Sequence, residues 1–228
     1  MHDPFPSIAN ANVPARFPVG GNAAELPVIV LVDDDDGVRS ALDSLLRSAG
    51  FRTRSHDSAA SLLKAGLPSA EHCVLLDVGL PDMSGFDLHA RLEEAGRPPP
   101  VIFMTGNADV PMGIRAMKTG AVDFLVKPFD DDALLAAVDV ALARGHAERC
   151  REAKRATMAL RYAQLTRRER QVMALVAQGL MNKQVAAELG LREITVKLHR
   201  SRLMRKMELR SLAELVRISD MLDPPAID

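Results

Sequence analysis

The amino-acid sequence predicts an α/β fold, a doubly wound five-stranded parallel sheet, followed by a small all-α domain with a helix-turn-helix. In residues 1–145, apolar runs typical of buried strands alternate with segments of helical period. In residues 165–228, helical segments are separated by capping residues and glycines. The charge divides similarly, since residues 1–145 contain 12 Lys/Arg and 20 Asp/Glu, whereas residues 146–228 contain 17 and 10. An acidic half joined to a basic half indicates two tasks, and a basic half suits nucleic acid.

The first half is predicted to repeat a strand and a helix five times. The strands are expected near residues 28–33, 51–55, 73–77, 101–105 and 123–126. The helices are expected near residues 36–49, 58–63, 85–95, 109–119 and 130–144. Asp36 and Asp57 are the expected N-caps of the first two helices. Residues 1–26, rich in Pro, Ala, Gly and Asn, are expected to form a disordered extension ahead of a domain at 27–145.

The second half is predicted to begin with a helical linker at residues 146–164, which leads into the helix-turn-helix domain at 165–228. Gly145 is the one helix breaker expected near this linker. Asn182 is expected to cap a short helix that closes at Gly190, and a tight turn then leads to a longer basic helix. The four helices of this domain are expected at about 166–179, 183–189, 193–207 and 211–222.

The composition excludes several classes of protein. With two cysteines and no tryptophan in 228 residues, the chain is not a disulfide scaffold, and a reducing cytoplasm fits best. Cys73 lies in a predicted core strand and Cys150 in a charged helix, so we expect no chemical role for either. No apolar run approaches the roughly 18 residues that span a bilayer, and the first residues lack the features of a signal peptide. We therefore expect a cytoplasmic protein without a membrane partner.

Chemically active side chains follow four of the predicted strands. Asp33 and Asp34 follow the first strand, Asp77 the third, Thr105 the fourth and Lys127 the fifth. Because the carboxyl ends of the strands of a doubly wound sheet share one crevice, we expect these side chains to lie together. Adjacent carboxylates need a cation, and hard oxygen ligands suit Mg²⁺. Beside such a metal, Asp77 can attack phosphorus and become an acyl phosphate. Lys127 can balance the phosphoryl charge, and Thr105 can hydrogen-bond one phosphoryl oxygen.

Four motifs at these strand ends resemble those of the receiver domain of bacterial two-component response regulators. They are Val32-Asp-Asp-Asp-Asp-Gly-Val-Arg39, Asp77-Val-Gly-Leu-Pro-Asp-Met-Ser-Gly85, Met104-Thr-Gly106 and Lys127-Pro-Phe129. The resemblance implies a flavodoxin-like fold and phosphorylation of Asp77 by a sensor histidine kinase. It also implies direct Mg²⁺ ligation by Asp34, Asp77 and the backbone carbonyl of Gly79, with Asp33 acting through water.

The same resemblance implies a switch linked to the phosphoacceptor. Phe124 is expected to turn inward when Thr105 moves towards the phosphoryl group, and the Lys127–Pro128 peptide bond is expected to be cis. Gly79 stands where family members commonly have a longer side chain, and a glycine cannot orient or block an attacking water. Gly79 and Asn107 are the positions expected to tune dephosphorylation, and we expect Asn107 and the kinase to dominate.

The long helix of the second half has two different faces when its residues are placed at 100° intervals. The face expected to pack on the core contains Val196, His199, Leu203 and Met207. The opposite face, with Thr195 at its edge, contains Lys197, Leu198, Ser201, Arg202 and Arg205. A basic outward face fits the major groove and its phosphates, and Leu198 is placed to contact a thymine methyl group.

Three further segments resemble the LuxR-type DNA-binding domain. They are Leu165-Thr-Arg-Arg-Glu-Arg-Gln-Val172, Gly179-Leu-Met-Asn-Lys-Gln-Val-Ala186 and Thr195-Val-Lys-Leu-His-Arg200. With the receiver motifs, residues 27–222 resemble the FixJ/NarL branch of response regulators. The expected DNA contacts are Thr195, Lys197, Leu198, Arg200, Ser201, Arg202, Arg205, Asn182 and Lys183. A departure is Arg192-Glu193-Ile194, where the family often has a Ser and a Pro that open the recognition helix.

The sequence thus predicts a phosphorylation-activated DNA-binding transcriptional regulator, with no enzymatic activity beyond phosphotransfer to Asp77 and its autodephosphorylation. The implied partners are a sensor histidine kinase, double-stranded promoter DNA, RNA polymerase and, after phosphorylation, a second copy of the chain. Dimers are expected to form through the helix at 109–119 and the strand at 123–126. One alternative is an aspartate-nucleophile phosphatase, which usually needs a second acid close to the nucleophile, whereas here Gly79 stands two residues after Asp77 and Asp82 lies beyond Pro81. The other is a constitutive DNA-binding regulator whose receiver serves only as a dimerisation or docking module.

Overall fold

The computed structural model describes residues 27–66, 71–96, 99–107 and 109–222, and the extension expected at 1–26 lies outside these residues. The chain divides into two compact units between His146 and Ala147. None of the described helices is both long enough and apolar enough to cross a membrane.

The elements of the N-terminal unit alternate between strands and helices. In chain order they are β1 (Val28–Val32), α1 (Asp36–Ser48), β2 (Arg52–His56), α2 (Ala59–Ala65), β3 (Glu71–Asp77), α3 (Gly85–Glu94), β4 (Val101–Thr105), α4 (Val110–Lys118), β5 (Asp123–Val126) and the beginning of α5 (Asp131–Ala163). The C-terminal unit contains the end of α5, α6 (Arg167–Ala177), α7 (Asn182–Leu189), α8 (Glu193–Lys206) and α9 (Leu212–Leu222).

The five strands form one parallel sheet in the order β2-β1-β3-β4-β5, which confirms the predicted doubly wound fold. Successive side chains of a strand point to opposite faces of the sheet, so each strand contributes to two cores. Ile29 and Leu31 pack with α1 and α5, whereas Val30 and Val32 belong to the cluster formed with α2, α3 and α4. Burial on both faces explains why β1 is apolar without interruption.

Two helix N-caps in this unit differ by one residue from the prediction. Asp35, rather than Asp36, caps α1 by accepting hydrogen bonds from two amides of the first turn. Ser58, rather than Asp57, caps α2 through its hydroxyl oxygen. In both places two adjacent residues have good capping side chains, and only the path of the backbone selects between them.

The α5 helix is continuous, so the expected break at Gly145 is wrong. It runs for 33 residues from Asp131 to Ala163, and Gly145 is buried within it. A glycine in a helix interior costs only about 1 kcal/mol relative to alanine. The neighbouring residues of Gly145 include several alanines and arginines, which are good helix formers and offset this cost.

The C-terminal unit is a compact group of helices around one apolar core. The predicted capping box opens α6, because the hydroxyl of Thr166 accepts from the amide of Glu169 at 3.2 Å and the Glu169 carboxylate accepts from the Thr166 amide at 2.8 Å. The α7 helix begins at Asn182 itself and Met181 is its N-cap, which corrects the predicted capping role of Asn182. Gly190 ends α7 in the left-handed conformation, at φ 63°. The fully buried core side chains include Val172, Val185, Val196, Leu203, Met207 and Leu215.

Candidate phosphoacceptor site and DNA interface

Two buried carboxylates at the ends of neighbouring strands share one lysine. Nζ of Lys127 lies 2.5 Å from Oδ2 of Asp33 and 2.6 Å from Oδ1 of Asp77. The side chains of Asp33 and Asp77 are 1% and 8% exposed, and that of Lys127 is 19% exposed. Two carboxylates beside one ammonium leave an excess of negative charge in a buried place, which favours a further cation.

The register of the sheet explains why these side chains meet. Asp33 follows β1, which is bonded to β3, and Asp77 is the last residue of β3. Asp77 pairs with Met104 of β4, so Thr105 ends the next strand one position further along. The amide of Lys127 donates to the carbonyl of Thr105 at 2.8 Å. The structure thus brings together four of the predicted site residues at one edge of the sheet.

The two carboxylates hold Lys127 in its charged form. Burial by itself would lower the pKa of Lys127, but the hydrogen bonds and negative charges of Asp33 and Asp77 outweigh it and raise the pKa above the usual lysine value. The Lys127–Pro128 peptide bond is cis, as the sequence resemblance implies. The lysine is therefore a fixed positive charge beside the carboxylate of Asp77.

The four consecutive aspartates have different surroundings. Asp33 is buried, and its Oδ1 accepts a hydrogen bond from the amide of Asp35 at 3.0 Å. The side chain of Asp34 is exposed. Asp35 caps α1, and hydrogen bonds from backbone amides of that helix lower the pKa of its carboxyl group. Asp36 is exposed and pairs with Arg39.

The donor atoms at this site fit Mg²⁺. Among the described residues, no three His, Cys, Asp or Glu side chains lie together in a group that could hold a metal ion. Proteins commonly bind Mg²⁺ through one or two carboxylates, with water and phosphate oxygens completing the coordination. The buried pair of Asp33 and Asp77, with its excess negative charge, meets that requirement. The backbone carbonyl of Gly79 and the exposed carboxylate of Asp34 are the further oxygen donors nearby in the chain.

Two glycines shape the surroundings of Asp77. The amide of Gly79 donates to Oδ2 of Asp77 at 2.5 Å, and a Cβ atom on Gly79 would lie 3.2 Å from the same oxygen. A Cβ atom on Gly85 would overlap the backbone carbonyl oxygen of Asp77. Sequence reasoning included Gly85 in a motif but gave it no role. The one sequence signal for Gly85 is its position directly after Ser84, the N-cap of α3, where a glycine at the first helical position is unusual.

One further residue near the site was not predicted. Arg39 of α1 donates from Nη1 to the backbone carbonyl of Asp33 at 2.6 Å, so it fixes the loop that follows β1. The spacing of six residues from Asp33 to Arg39 crosses a helix N-terminus, and no local pattern in the sequence reveals such a contact.

Thr105 and Asn107 are hydrogen-bonded to each other, and Phe124 lies in β5, where it pairs with Phe103 of β4. Oγ1 of Thr105 accepts from the amide of Asn107 at 3.2 Å and donates to its carbonyl at 3.3 Å. Thr105 is buried and Asn107 is exposed. Phe124 is half-buried against the cluster that contains Ala116 of α4.

The carboxylate of Asp82 is engaged away from Asp77. It accepts hydrogen bonds from the amides of Ala59 and Ala60 at 3.2 and 2.7 Å, at the beginning of α2. The hydrogen bonds from Ala60 and other backbone amides lower the pKa of Asp82. A carboxylate held ionised as a helix cap is a poor general acid, which counts against the phosphatase alternative.

An exposed apolar surface covers α4 and the end of β5. We call it the α4–β5 face, and its members are Val110, Ile114, Met117 and Val126. Their exposed fractions range from 77% for Val110 to 48% for Val126. Val110, Ile114 and Met117 are spaced four and three residues apart, which places them on one side of α4. Exposed apolar side chains grouped in this way are typical of a contact site for another protein surface.

The α8 helix has the two faces that its sequence predicts. Val196, Leu203 and Met207 are fully buried, and His199 is half-buried. The opposite surface is exposed or half-exposed and consists of Thr195, Lys197, Leu198, Ser201, Arg202 and Arg205.

The remaining predicted DNA contacts lie at the junction of α7 and α8. Nη1 of Arg200 donates to the side-chain oxygen of Asn182 at 3.2 Å, and both residues are half-buried. Lys183, the next residue of α7, is exposed. Arg200 therefore also joins the two helices of the helix-turn-helix, a contact that sequence analysis did not anticipate.

A carboxylate–lysine site on a doubly wound sheet, followed along the chain by a helix-turn-helix, defines a class of protein: response regulators that bind DNA. Residues 29–139 match the response regulator receiver domain, and residues 163–219 match the bacterial regulatory proteins of the luxR family.

Proteins of known identity are similar to the chain over both units. Nodulation protein W of Bradyrhizobium diazoefficiens is 47% identical over 202 residues, which cover 88% of either chain. Transcriptional regulatory protein FixJ of Azorhizobium caulinodans is 45% identical, over 85% of this chain and 92% of FixJ. The solved structure of response regulator StyR is 42% identical with a TM-score of 0.72, and the match covers 86% of this chain and 98% of StyR.

The chain belongs to the FixJ/NarL family of two-component response regulators, and it is a phosphorylation-activated DNA-binding transcriptional regulator. Receiver domains take their phosphoryl group from histidine kinases, and luxR-type domains bind DNA. The N-terminal unit is called the receiver below, and the C-terminal unit the DNA-binding unit.

Proposed function

We propose that Asp77 is the phosphoacceptor of this regulator and that a sensor histidine kinase is its phosphoryl donor. The proposal rests above all on Lys127, whose Nζ contacts the buried carboxylates of Asp33 and Asp77 at 2.5 and 2.6 Å. A fixed cation beside a strand-end carboxylate is suited to balancing the charge of an incoming phosphoryl group.

The transfer step needs no co-reactant other than the phosphorylated kinase. A carboxylate oxygen of Asp77 forms a bond to phosphorus while the bond from phosphorus to the histidine nitrogen of the kinase breaks, and that nitrogen keeps the electron pair. Lys127 balances negative charge on the phosphoryl oxygens, and the hydroxyl of Thr105 donates to one of them. Hydrolysis of the acyl phosphate, tuned by Gly79 and Asn107, returns Asp77 to its carboxylate form.

The residues proposed to hold Mg²⁺ are Asp33, Asp34, Asp77 and the backbone carbonyl of Gly79. A bound Mg²⁺ supplies positive charge that offsets the repulsion between the carboxylates and the phosphoryl oxygens. Asp33 and Asp77 are buried and share only one lysine, so the protein itself leaves part of their charge unbalanced.

Phosphorylation is proposed to reach the protein surface through Thr105 and Phe124. Thr105 must exchange its hydrogen bonds with Asn107 for a contact to the phosphoryl group, and this opens space into which Phe124 turns. The change remodels the α4–β5 face, whose exposed apolar side chains then pair with those of a second copy of the chain. The product is a homodimer.

A dimer is proposed to bind promoter DNA through two copies of α8, one for each half-site. The cations Lys197, Arg202 and Arg205 meet phosphates or base edges, as do the other predicted contacts of α7 and α8. Joining two DNA-binding units raises affinity through effective concentration, without any new contact to DNA. RNA polymerase is a candidate partner of the bound dimer.

The test is a measurement of intact mass after incubation with Mg²⁺ and acetyl phosphate, with the same samples sized by light scattering. Wild type is compared with Asp77→Asn and with Asp82→Asn, which removes a carboxylate from the loop after β3 that is bonded to the amides of Ala59 and Ala60 and not to Lys127. We expect one phosphoryl adduct and a dimer for wild type and Asp82→Asn, and neither for Asp77→Asn. An adduct on Asp77→Asn would contradict the assignment of the phosphoacceptor.

A constitutive DNA-binding regulator is the second candidate, and one observation favours it. The apolar side chains of the α4–β5 face are exposed, so this face can contact a second copy of the chain without first being remodelled. Under this alternative the receiver is only a dimerisation or docking module. Dimer formation and equal DNA affinity in Asp77→Asn and wild type, with or without acetyl phosphate, would establish it.

A further inference from the structure

An apolar strip interrupts the basic surface of α8. Ile194 is 70% exposed and Leu198 is 49% exposed, and their spacing of four residues puts them on one side of the helix, one turn apart. Together with Thr195 and Lys197 they line a shallow surface concavity. Single exposed apolar residues are common, whereas two that share one concavity mark a contact surface.

The strip is not needed for the fold of the DNA-binding unit. The core of that unit takes Val196 and Leu203 from α8, both fully buried, and neither Ile194 nor Leu198 belongs to it. A substitution of either exposed residue is therefore expected to leave the unit folded. The strip is free to serve recognition.

The charges around the strip identify what covers it. Lys197, Arg202 and Arg205 are exposed on the same helix, so the partner surface is a polyanion. DNA is such a polyanion. Its major groove is wide enough to admit an α-helix, and the methyl group of thymine is exposed there as an apolar contact. Cytosine offers the same group when it carries a 5-methyl.

We propose that Ile194 and Leu198 together recognise the 5-methyl groups of two pyrimidines in the major groove. The inference rests on the proposed binding of α8 to DNA, and to the thymine contact that the sequence predicts for Leu198 it adds Ile194 and a second methyl group. Side chains four residues apart on a helix have Cβ atoms about 5–6 Å apart. Base pairs rise by about 3.4 Å, so the two methyl groups lie one or two base steps apart in each half-site.

The experiment starts from the full-length protein, phosphorylated with acetyl phosphate and Mg²⁺. Bound duplexes are selected from a random library with wild type, Ile194→Ser and Leu198→Ser. In the duplex that wild type selects, each thymine is then replaced singly by deoxyuridine, which removes only the methyl group. A further set replaces the thymine–adenine pair by 5-methylcytosine–guanine, or by unmodified cytosine–guanine, which separates methyl recognition from hydrogen bonding.

We expect deoxyuridine at two positions of each half-site to weaken wild-type binding about fourfold, which corresponds to about 0.8 kcal/mol for one buried carbon group. At one of these positions the loss disappears in Ile194→Ser, and at the other it disappears in Leu198→Ser. At both positions 5-methylcytosine binds wild type more tightly than unmodified cytosine by a similar factor.

Leu160→Ser is the matched control, because Leu160 is also 70% exposed but lies on α5. It should select the same duplexes as wild type and keep both deoxyuridine effects. Equal deoxyuridine effects in wild type and in both α8 variants would overturn the inference, as would selected sites without thymine at a shared spacing. Sequence-specific binding with equal affinity for thymine and deoxyuridine duplexes would contradict this inference but not the proposed DNA-binding function. No duplex binding by protein with a verified phosphoryl adduct defeats the proposed DNA-binding function as well.

Discussion

Gly85 lies directly against the backbone of Asp77, at the point where β3 leads into the loop before α3. A Cβ atom on Gly85 would overlap the carbonyl oxygen of Asp77 and would lie 3.0 Å from Cα of Val78. The amide of Gly85 donates to the carbonyl of Val78 at 3.0 Å, which keeps the two segments together. The first turn of α3 thus fixes the backbone that carries the phosphoacceptor, and only a residue without a side chain fits there.

We expect Gly85→Ala to destabilise the receiver by about 1–3 kcal/mol, since the backbone must move to admit the methyl group. The displacement of Asp77 should also slow formation of the acyl phosphate. Hydrogen exchange of receiver peptides measures the first effect, and intact mass against time measures the second. The control is Gly113→Ala, where a Cβ atom would meet nothing within 4 Å and alanine favours the helix. Equal behaviour of the two variants would contradict the close contact.

Replacing Lys127 by methionine should lower the free energy of unfolding of the receiver, because two buried carboxylates then repel each other without a neighbouring cation. Asp33 and Asp77 would lose their shared cation, and removal of one partner of a buried ion pair costs about 3–5 kcal/mol. Because Mg²⁺ can supply the missing charge, we expect it to stabilise the receiver of Lys127→Met more than that of wild type. Hydrogen exchange of β1 and β3 peptides, with Mg²⁺ and with a chelator, gives both values. Lys118→Met, which changes an exposed lysine of α4, should respond to Mg²⁺ as wild type does.

The stability of the receiver should fall as the solution becomes more acidic than the usual pKa of histidine, about 6.5. Burial lowers the pKa of His89, against the smaller opposing effect of Glu93. The unfolded chain therefore binds a proton at a higher pH than the folded chain does. The stabilisation is fully present above about pH 6.5 and is lost as the pH falls from there towards the lower pKa of the folded state.

Urea unfolding of the receiver at pH 7.5 and at pH 5.5 checks this expectation. His89→Leu should reduce the difference between the two pH values, because burial lowers the pKa of two histidines in the described part of the receiver and this variant removes one of them. The other, His56, keeps part of the difference. A wild-type receiver that is more stable at pH 5.5 would show that the sign is wrong.

In the DNA-binding unit, Glu169 is expected to be the most costly acidic residue to remove. Its buried carboxylate accepts from the amide of Thr166 and lies 2.7 Å from Nζ of Lys206. Burial would raise the pKa of Glu169, but Lys206 and the amide of Thr166 together lower it. We expect Glu169→Ala to cost about 2–4 kcal/mol, from the lost capping box and the unpaired lysine.

Tyr162 provides the measurement, because it is the one tyrosine of a chain without tryptophan and it packs on the core of this unit. Its fluorescence in urea therefore follows the DNA-binding unit alone. Glu193→Ala is the control, since the pair of Glu193 and Lys197 is exposed and contributes about 0.5 kcal/mol at most. A loss in Glu169→Ala no larger than in the control would argue against the buried pair.

The sequence predicted those features that repeat or that lie at strand ends. Uninterrupted apolar runs predicted four of the strands, β1, β3, β4 and β5, whereas β2 is polar. The acids and the lysine at the ends of these four strands predicted one shared site, because the carboxyl ends of parallel strands lie at the same edge of the sheet. The capping box at Thr166 and Glu169 was also predicted, since it is a local pattern of four residues.

Contacts between distant segments could not be predicted in the same way. Asp82 accepts hydrogen bonds at the beginning of α2 from Ala59 and Ala60, which lie 23 and 22 residues earlier in the chain, and Arg200 donates to Asn182 across 18 residues. None of these spacings belongs to a periodic pattern, so only the folded chain reveals them. The one-residue errors in the predicted N-caps of α1 and α2 have a different cause, since two adjacent residues at each position have side chains that can cap a helix.

Ile114 is the residue of the α4–β5 face at which the proposed dimer is most directly tested. It is 51% exposed in the middle of α4, so a charge placed there stays hydrated in the monomer but would be buried in a dimer. We expect Ile114→Glu to form the phosphoryl adduct at the wild-type rate and yet to remain monomeric in light scattering. Leu63→Glu, on α2 and 39% exposed, should dimerise as wild type does.

The same variant should also bind DNA more weakly, because two linked DNA-binding units bind far more tightly than one. We expect phosphorylated Ile114→Glu to lose at least tenfold in affinity for a duplex with two half-sites and to keep its affinity for a single half-site. Dimerisation of phosphorylated Ile114→Glu would move the interface to another surface of the receiver, and it would leave the assignment of Asp77 untouched.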